Sequence, residues 1–213
     1  MLKNNADRLR VRLLDRRKEI PAAHQQQQSR EICQFLEDWF AKMASQTQSD
    51  HDPADWVVAA FWPLKNEPDL IPFMTRIHQE GFRTVLPVIV KRDAPLEFHE
   101  WGPTTPMISG VFGVQEPASK IVLRPNVVLV PTLGYTDRGD RMGYGGGYYD
   151  RTLAELRSTG PLLTIGVGWR EGQISHEHGE YQPQAHDIPL DAVLNADGWV
   201  GGARAIPPEW PNA

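Results

Sequence analysis

The residues best suited to chemistry lie in one stretch, Arg138 to Arg151, which reads RGDRMGYGGGYYDR. Glycines have no Cβ, so their backbone N–H groups can approach an anion closely, and the N-terminus of a following helix adds a favourable dipole. The guanidinium groups of Arg138, Arg141 and Arg151 flank the glycines and suit phosphate oxygens. The stretch therefore predicts a phosphate-binding loop, although a glycine cluster on its own is also typical of a tight surface turn.

This loop differs from two common nucleotide-binding patterns. A P-loop ends in Gly-Lys-Ser/Thr, and the dinucleotide fingerprint needs G-x-G-x-x-G with an acidic residue after the next strand. Here the last glycine, Gly147, is followed by Tyr148-Tyr149-Asp150. The sequence therefore fits neither pattern.

The segment from Arg141 to Arg151 closely resembles the signature R-[LM]-G-x-G-x-G-[YF]-Y-D of the 5-formyltetrahydrofolate cyclo-ligase family, also called 5,10-methenyltetrahydrofolate synthetases. The resemblance covers roughly residues 6 to 200, with further matches in the same order as in the family. These matches are Leu9-Arg10, Leu64 to Asp69, Leu86-Pro87-Val88, Phe98, Glu116-Pro117, Gln173 and His186 to Asp191.

The resemblance implies a ligase of one-carbon metabolism. It would use ATP and Mg²⁺ to cyclise 5-formyltetrahydrofolate to 5,10-methenyltetrahydrofolate, releasing ADP and phosphate. The γ-phosphoryl group would pass to the formyl oxygen, after which N10 of the folate attacks the activated carbon and phosphate departs. Phosphoryl transfer mainly requires positioning and charge neutralisation, so the absence of a recognisable Ser/His/Asp or reactive-Cys constellation agrees with this reaction.

The resemblance also implies roles for individual residues. Arg141, Tyr148 and Asp150 are expected at the reaction centre. Glu67 is expected to bind the pterin ring, and Tyr148 to contact the folate. Asp150 and Asp191 match two carboxylates that hold Mg²⁺, an ion that prefers hard oxygen ligands. The nucleotide would be bound by Arg10, Arg141, Gly143, Gly145, Gly146, Gly147, Tyr148 and Tyr149.

Taken without the resemblance, several of these residues have plainer interpretations. Glu67 and Asp191 are then ordinary solvated carboxylates, although Glu67 follows a predicted strand at an edge where α/β proteins bind ligands. The arginine-rich first helix is then a solvated face. His178 and His186 lack metal-ligand spacing with other residues, and a structural or peripheral role is predicted for them.

The chain departs from the family pattern at a few positions. Ala6 stands where the family has a lysine, and Lys3 or Arg8 could supply the missing charge. Gly134-Tyr135-Thr136 replaces the usual Ala-Phe-Asp, and Trp169-Arg170 replaces smaller residues. These departures leave open a diverged relative that acts on another formylated or amide substrate, or that binds folate or nucleotide as a regulator. A sugar-phosphate-binding α/β enzyme without ATP chemistry is a further alternative.

Apolar residues at helical spacing predict four helices. The predicted stripes are Leu9, Leu13 and Ile20 in the first; Ile32, Phe35, Leu36, Trp39, Phe40 and Met43 in the second; Leu70, Phe73, Met74 and Ile77 in the third; and Tyr149, Leu153 and Leu156 in the fourth. Tyr148, Arg151 and Thr152 are expected to point away from the core. Pro21 is placed in the first turn of the second helix. Gln25 to Gln28 is most simply a polar face, and Thr47 to Asp55 a linker.

Strands alternate with these helices along the chain. Continuous apolar runs typical of strands covered on both faces occupy Trp56–Phe61, Thr84–Val90, Val127–Val130, Leu162–Val167 and Ala192–Leu194. Leu96 to Trp101 alternates and could form a ribbon over the site, with Phe98 or Trp101 stacking on a flat heterocycle; core packing is equally consistent. The pattern predicts an α/β fold: an open, mostly parallel sheet with helices on both faces, in three layers α/β/α.

Length and composition set broader limits. The 213 residues suit one α/β domain, expected over 1–202, followed by an irregular tail over 203–213. The net charge of −5 gives no general attraction to nucleic acid, and no apolar run approaches the length of a membrane span. A single cysteine and the lack of a leader-like start predict a cytoplasmic location, and a monomer is expected.

Overall fold

The structure, a computed structural model, describes residues 5–46, 53–64, 66–175, 181–184 and 187–200 of the chain. Three predictions fall outside these residues: the irregular tail over 203–213, most of the predicted linker, and the roles of His178 and His186. Within the described part, no helix is both long enough and apolar enough to cross a membrane.

Helices form where the apolar spacing predicts them. Their described bounds are α1 Asn5–Glu19, α2 Ala22–Gln46, α3 Ile71–Gln79 and α4 Tyr148–Thr159. Ile32, Leu36 and Phe40 of α2 are almost fully buried, as are Phe73 and Met74 of α3, so these stripes face the core. Pro21 lies just before α2 rather than in its first turn, and its carbonyl accepts a hydrogen bond from the backbone N–H of Gln25.

The strands at the five continuous apolar runs have ends that lie within two residues of the ends of those runs, and further strands form elsewhere in the described chain. Their bounds are β1 Val57–Ala59, β2 Arg83–Val88, β3 Glu97–Trp101, β4 Met107–Ser109, β5 Gln115–Pro117, β6 Val127–Pro131, β7 Gly134–Tyr135, β8 Arg141–Met142, β9 Leu163–Val167, β10 Ala192–Asn195 and β11 Gly198–Trp199. Among the described residues, seven of them form one sheet in the order β11-β10-β9-β6-β1-β2-β3. The inner pairs are parallel, and the edge strands β3 and β11 are antiparallel to their neighbours.

Helices cover both faces of this sheet, as predicted. Side chains alternate along a strand, so Val127 and Leu129 of β6 pack in the same apolar cluster as α2 and α3. Val128 and Val130 pack in a second cluster that includes Leu153 of α4. The open three-layer α/β prediction is therefore confirmed.

The structure decides between the two alternatives for one segment and shows that two other local predictions are wrong. The Leu96 to Trp101 segment does not form a ribbon over the site: residues 97–101 pair with β2 as β3, and Phe98 and Trp101 are both buried in the core. Of this segment, only Leu96, just before the strand, lines the candidate site. Gln28 is buried and not part of a polar face, because its amide donates to the Glu171 carboxylate. Thr152 is also buried, with its hydroxyl accepting a hydrogen bond from the backbone N–H of Leu96.

Candidate functional site

A cavity of about 370 Å³ opens at the carboxyl ends of the central parallel strands. Pro87 near the end of β2, Ile89 just after it and Pro131 at the end of β6 form part of its wall, which is where open α/β sheets bind ligands. This one cavity is lined by most of the residues that the sequence predicted at the site. They are Arg10, Glu67, Arg141, Gly143, Gly145, Gly146, Gly147, Tyr148, Tyr149 and Asp150.

The glycine loop reaches the cavity from a small hairpin. Strands β7 and β8 pair Gly134 with Met142 and Tyr135 with Arg141, so the loop follows β8 of this hairpin and not β6. The hairpin strands have two residues each, too short to show an alternating pattern. Gly145 and Gly147 adopt φ values of 92° and 65°, a region costly for other residues. Helix α4 begins directly after Gly147, and its N-terminus borders the cavity.

The start of α1 packs against this loop. The Nε–H of Arg10 donates to the carbonyl oxygen of Gly143 at 3.0 Å, and its Nη1 pairs with Asp7 at 2.8 Å. Ala6 also lines the cavity, one helical turn before Arg10. Arg8 is exposed on another face of α1 and does not line the cavity, so it does not replace the family lysine. Lys3 lies outside the described residues.

Ala6→Lys is expected to tighten ATP binding about threefold, since the new ammonium group would lie beside the cavity on the same helical face as Arg10. Calorimetric titration with ATP measures this change. Arg8→Lys is the matched control, because it leaves the charge of α1 unchanged. Unchanged ATP affinity in both Ala6→Lys and Arg10→Ala would contradict a role for α1 at the phosphates.

Arg141 and Asp150 form a charge pair inside the cavity wall. The Nη2 of Arg141 donates to Oδ1 of Asp150 at 2.6 Å, and its Nη1 donates to the carbonyl oxygen of Ile188. The side chains of Arg141 and Asp150 are 5% and 23% exposed. A charged hydrogen bond in such a covered position is stronger than one in water. The pair fixes Asp150, in the first turn of α4, relative to the glycine loop.

Glu67 lies in a network of charged and polar groups at the other side of the loop. Its Oε1 accepts a hydrogen bond from the Tyr144 hydroxyl at 2.7 Å, and its Oε2 accepts one from the backbone N–H of Leu64 at 2.9 Å. Arg17 donates through Nη1 to the same hydroxyl and lies 3.7 Å from Oε1 of Glu67. Burial, followed by the adjacent Glu67 carboxylate, raises the pKa of Tyr144 above its ordinary value, so this hydroxyl stays a neutral donor.

The two candidate metal carboxylates have different surroundings. Asp150 lines the cavity, whereas Asp191 does not. The Oδ2 of Asp191 accepts hydrogen bonds from the hydroxyl and backbone N–H of Thr164, at 2.6 and 2.9 Å, and Arg157 lies 3.3 Å away. These groups lie at the starts of β9 and β10 and in the last turn of α4, away from the strand ends that form the cavity. The magnesium role of Asp191 stays a prediction.

Asp187 lines the cavity with Asp150, and the sequence did not single it out. Its Oδ2 accepts hydrogen bonds from the Tyr181 hydroxyl at 3.1 Å and from the backbone N–H of Gln184 at 2.7 Å. The backbone N–H of the next residue, Ile188, is 3.4 Å from Oδ1 of Asp150. Within the described ranges, no group of three or more His, Cys, Asp or Glu side chains forms a metal cluster.

Arg17 and Tyr144 were also missed as site residues. Arg17 lies four residues after Leu13 and eight after Leu9, so it shares their buried face; this spacing was the available signal. Tyr144 occupies the variable position between Gly143 and Gly145 of the signature, and nothing in the sequence pairs it with Glu67.

The departures from the family pattern have structural explanations. A Cβ on Gly134 would meet Cδ1 of Leu13 at 2.6 Å, so an alanine at this position would require the Leu13 side chain of α1 to shift. Thr136 is buried, and its hydroxyl donates to the Asp140 carboxylate in the hairpin turn. Trp169 is buried and donates through Nε1 to the carbonyl oxygen of Asn66 at 2.8 Å, which braces the loop that carries Glu67.

The sheet and its cleft define an open α/β protein of the kind that binds ligands at the ends of parallel strands. A model of the 5-formyltetrahydrofolate cyclo-ligase family matches residues 2–196. The 5-formyltetrahydrofolate cyclo-ligase of Mycolicibacterium smegmatis is 27% identical over 206 residues, spanning 91% of this chain and 95% of that protein. The one from Escherichia coli is 30% identical over 143 residues, spanning 64% and 76%.

A solved structure shows the same fold. The 5,10-methenyltetrahydrofolate synthetase of Aquifex aeolicus superposes with a TM-score of 0.71 at 21% identity, covering 95% of each chain. The family model spans most of the chain, and the curated relatives carry the family's name. The chain therefore belongs to the 5-formyltetrahydrofolate cyclo-ligase family and is a ligase.

Proposed function

We propose that this chain catalyses the ATP-dependent cyclisation of 5-formyltetrahydrofolate to 5,10-methenyltetrahydrofolate. The observation that carries the proposal is that the glycine loop and the Glu67 carboxylate line one cavity, joined by the hydrogen bond from Tyr144. An anion-binding loop beside a buried carboxylate acceptor suits a reaction that brings a triphosphate to a flat heterocycle with N–H donors.

In the proposed reaction, the γ-phosphoryl group of ATP passes to the formyl oxygen, and N10 then attacks the activated carbon with loss of phosphate. The backbone N–H groups of the glycine loop and the N-terminus of α4 would stabilise the phosphates. Arg10 and Arg141 would neutralise their charge, because a guanidinium has five N–H donors and Arg141 commits only some of them to Asp150 and Ile188. Glu67 would orient the pterin ring, and Tyr148 would contact the folate.

Magnesium would supply further charge neutralisation on the transferred group. Asp150 suits the ion, because the hydrogen bonds from the described residues go to its Oδ1, which leaves Oδ2 as a ligand oxygen. We favour Asp187 over Asp191 as the second carboxylate, since it shares the cavity with Asp150. Magnesium usually takes one or two carboxylates and completes its coordination with phosphate oxygens and water.

Asp187→Asn is expected to raise the Mg²⁺ concentration needed for half-maximal turnover about tenfold, whereas Asp191→Asn leaves it nearly unchanged. Asp191→Asn instead weakens the contacts to Thr164 and Arg157, and should lower Tm by about 2–4 °C for a loss near 1 kcal/mol. Magnesium titration of turnover and thermal unfolding measure the two effects. A larger magnesium requirement in Asp191→Asn than in Asp187→Asn would restore Asp191 as the ligand.

An absorbance assay of methenyltetrahydrofolate formation tests the proposed function directly. Product should form from 5-formyltetrahydrofolate only with MgATP, in step with release of ADP. Folate and ATP binding without turnover would favour a regulatory relative. Failure of ATP to protect against thermal unfolding would favour an enzyme without ATP chemistry.

We further propose a monomeric, cytoplasmic enzyme in which residues 1–202 act as one domain. Cys33 is the single cysteine of the chain, and burial raises the pKa of its thiol to about 12, which keeps it protonated and unreactive. A chain without disulfides suits a reducing compartment. Light scattering after gel filtration measures the oligomeric state.

A further inference from the structure

Glu67, the residue proposed to bind the pterin, is almost completely covered in this structure. Its side chain is 3% exposed. One carboxylate oxygen accepts from the Tyr144 hydroxyl and the other from the backbone N–H of Leu64. A ligand with N–H donors can therefore reach the carboxylate only after one of its covers has moved.

Tyr144 is the cover that can move, with loss of the hydrogen bonds between its hydroxyl and Glu67 and Arg17. The residue is 44% exposed and belongs to none of the apolar core clusters of the described chain, so little buried apolar surface is lost when its ring swings out. It lies between two glycines, and Gly145 already adopts a positive φ. Leu64, by contrast, covers Glu67 with its backbone, and the Glu67 N–H returns a hydrogen bond to its carbonyl oxygen at 2.9 Å.

Arg17 would stay in place when Tyr144 leaves. Its Nη2 donates to the carbonyl oxygen of Thr132 at 2.7 Å, and its side chain is 5% exposed. Its Nη1 lies 3.7 Å from Oε1 of Glu67, close enough to balance the carboxylate charge with the cavity open. The carboxylate would therefore keep its cationic neighbour while it accepts hydrogen bonds from a ligand.

We propose that Tyr144 is a gate over Glu67: its hydroxyl closes the carboxylate in the free protein and must leave before a heterocycle with paired N–H donors can bind. This inference rests on the proposed function, which supplies the pterin as the ligand. The gate also favours ligands whose own N–H donors replace the hydrogen bond that Glu67 loses when Tyr144 leaves. A ligand without such donors leaves Glu67 desolvated and unpaired, which is costly.

The gate predicts a particular change in binding kinetics. The apparent dissociation constant of a gated site is the intrinsic one divided by the open fraction. Tyr144→Phe keeps the ring but removes the hydroxyl, so it raises the open fraction without touching a ligand contact. The association rate constant for 5-formyltetrahydrofolate, measured by stopped-flow fluorescence without ATP, is expected to rise about threefold to tenfold. The dissociation rate constant should change less than about twofold, because only the open fraction changes.

Two further variants make the test specific. Tyr135→Phe is the matched control, since it deletes a buried tyrosine hydroxyl that contacts Trp169 and Asn195 rather than Glu67, and it should leave both rate constants unchanged. In a Glu67→Gln background, Tyr144→Phe should lose most of its effect, because the charged acceptor is gone. Thermal unfolding of each variant confirms that it is folded.

The outcomes separate the gate from the proposed function. A faster dissociation with unchanged association would show that the hydroxyl contacts the ligand, and unchanged rates would show that it is irrelevant; either result overturns the gate alone. Undetectable binding of 5-formyltetrahydrofolate by the unmodified chain would overturn the proposed function, and the gate with it.

Discussion

Asp150→Asn is expected to lower kcat/KM for MgATP by at least about 100-fold, which corresponds to about 2.7 kcal/mol of lost transition-state stabilisation. The amide keeps an oxygen that can accept from Arg141, but it loses the negative charge that would hold the metal ion. The loss should appear in kcat, because charge neutralisation matters most during phosphoryl transfer. Steady-state turnover over a range of Mg²⁺ concentrations measures it.

A matched variant separates the proposed metal-binding role of Asp150 from its hydrogen bond with Arg141. Asp150→Glu keeps the charge but displaces the carboxylate by one methylene, so raised Mg²⁺ should recover more of its activity than that of Asp150→Asn. Both variants should remain folded, because the side chain is 23% exposed and lies at the surface of the cavity. Wild-type turnover of Asp150→Asn at ordinary Mg²⁺ would show that this carboxylate is not a ligand.

Glu67→Gln is expected to raise the dissociation constant for 5-formyltetrahydrofolate about tenfold or more, since a hydrogen bond to a charged group is worth about 1.5–3 kcal/mol. The neutral amide accepts more weakly, and its NH₂ group would face the donors of the pterin. ATP affinity should hardly change, because Glu67 lies across the glycine loop from Arg141 and Asp150. Equilibrium titrations with each ligand give the two constants.

The free energy of unfolding is the control measurement for Glu67→Gln. The substitution also removes the charge beside the buried guanidinium of Arg17, and the free energy of unfolding should fall by about 1–3 kcal/mol. Glu171→Gln removes a half-buried carboxylate that accepts from Gln28 outside the cavity, and it should leave folate binding unchanged. Equal losses of folate and ATP affinity in Glu67→Gln would indicate a structural role.

The sequence alone determined the architecture, because the periodicity of apolar residues reports local burial. Stripes such as Ile32, Leu36 and Phe40 can be covered only as one face of a helix, and all three are buried. Continuous runs such as Val127–Val130 are typical of a strand covered on both faces, and this one lies inside a parallel sheet. The glycine signature likewise marked the loop that now lines the cavity, because few other residues tolerate its backbone angles.

The tertiary structure decided what depends on contacts between distant residues. No local pattern reveals that Tyr144 reaches Glu67, 77 positions away. None reveals that Asp187 lines the cavity while Asp191 binds Thr164 and Arg157. Sequence spacing fixes which residues share a face of one element, whereas a binding site is formed where several elements meet. Hydrogen bonds formed between elements therefore set the partners of each carboxylate, and these became visible only in the folded chain.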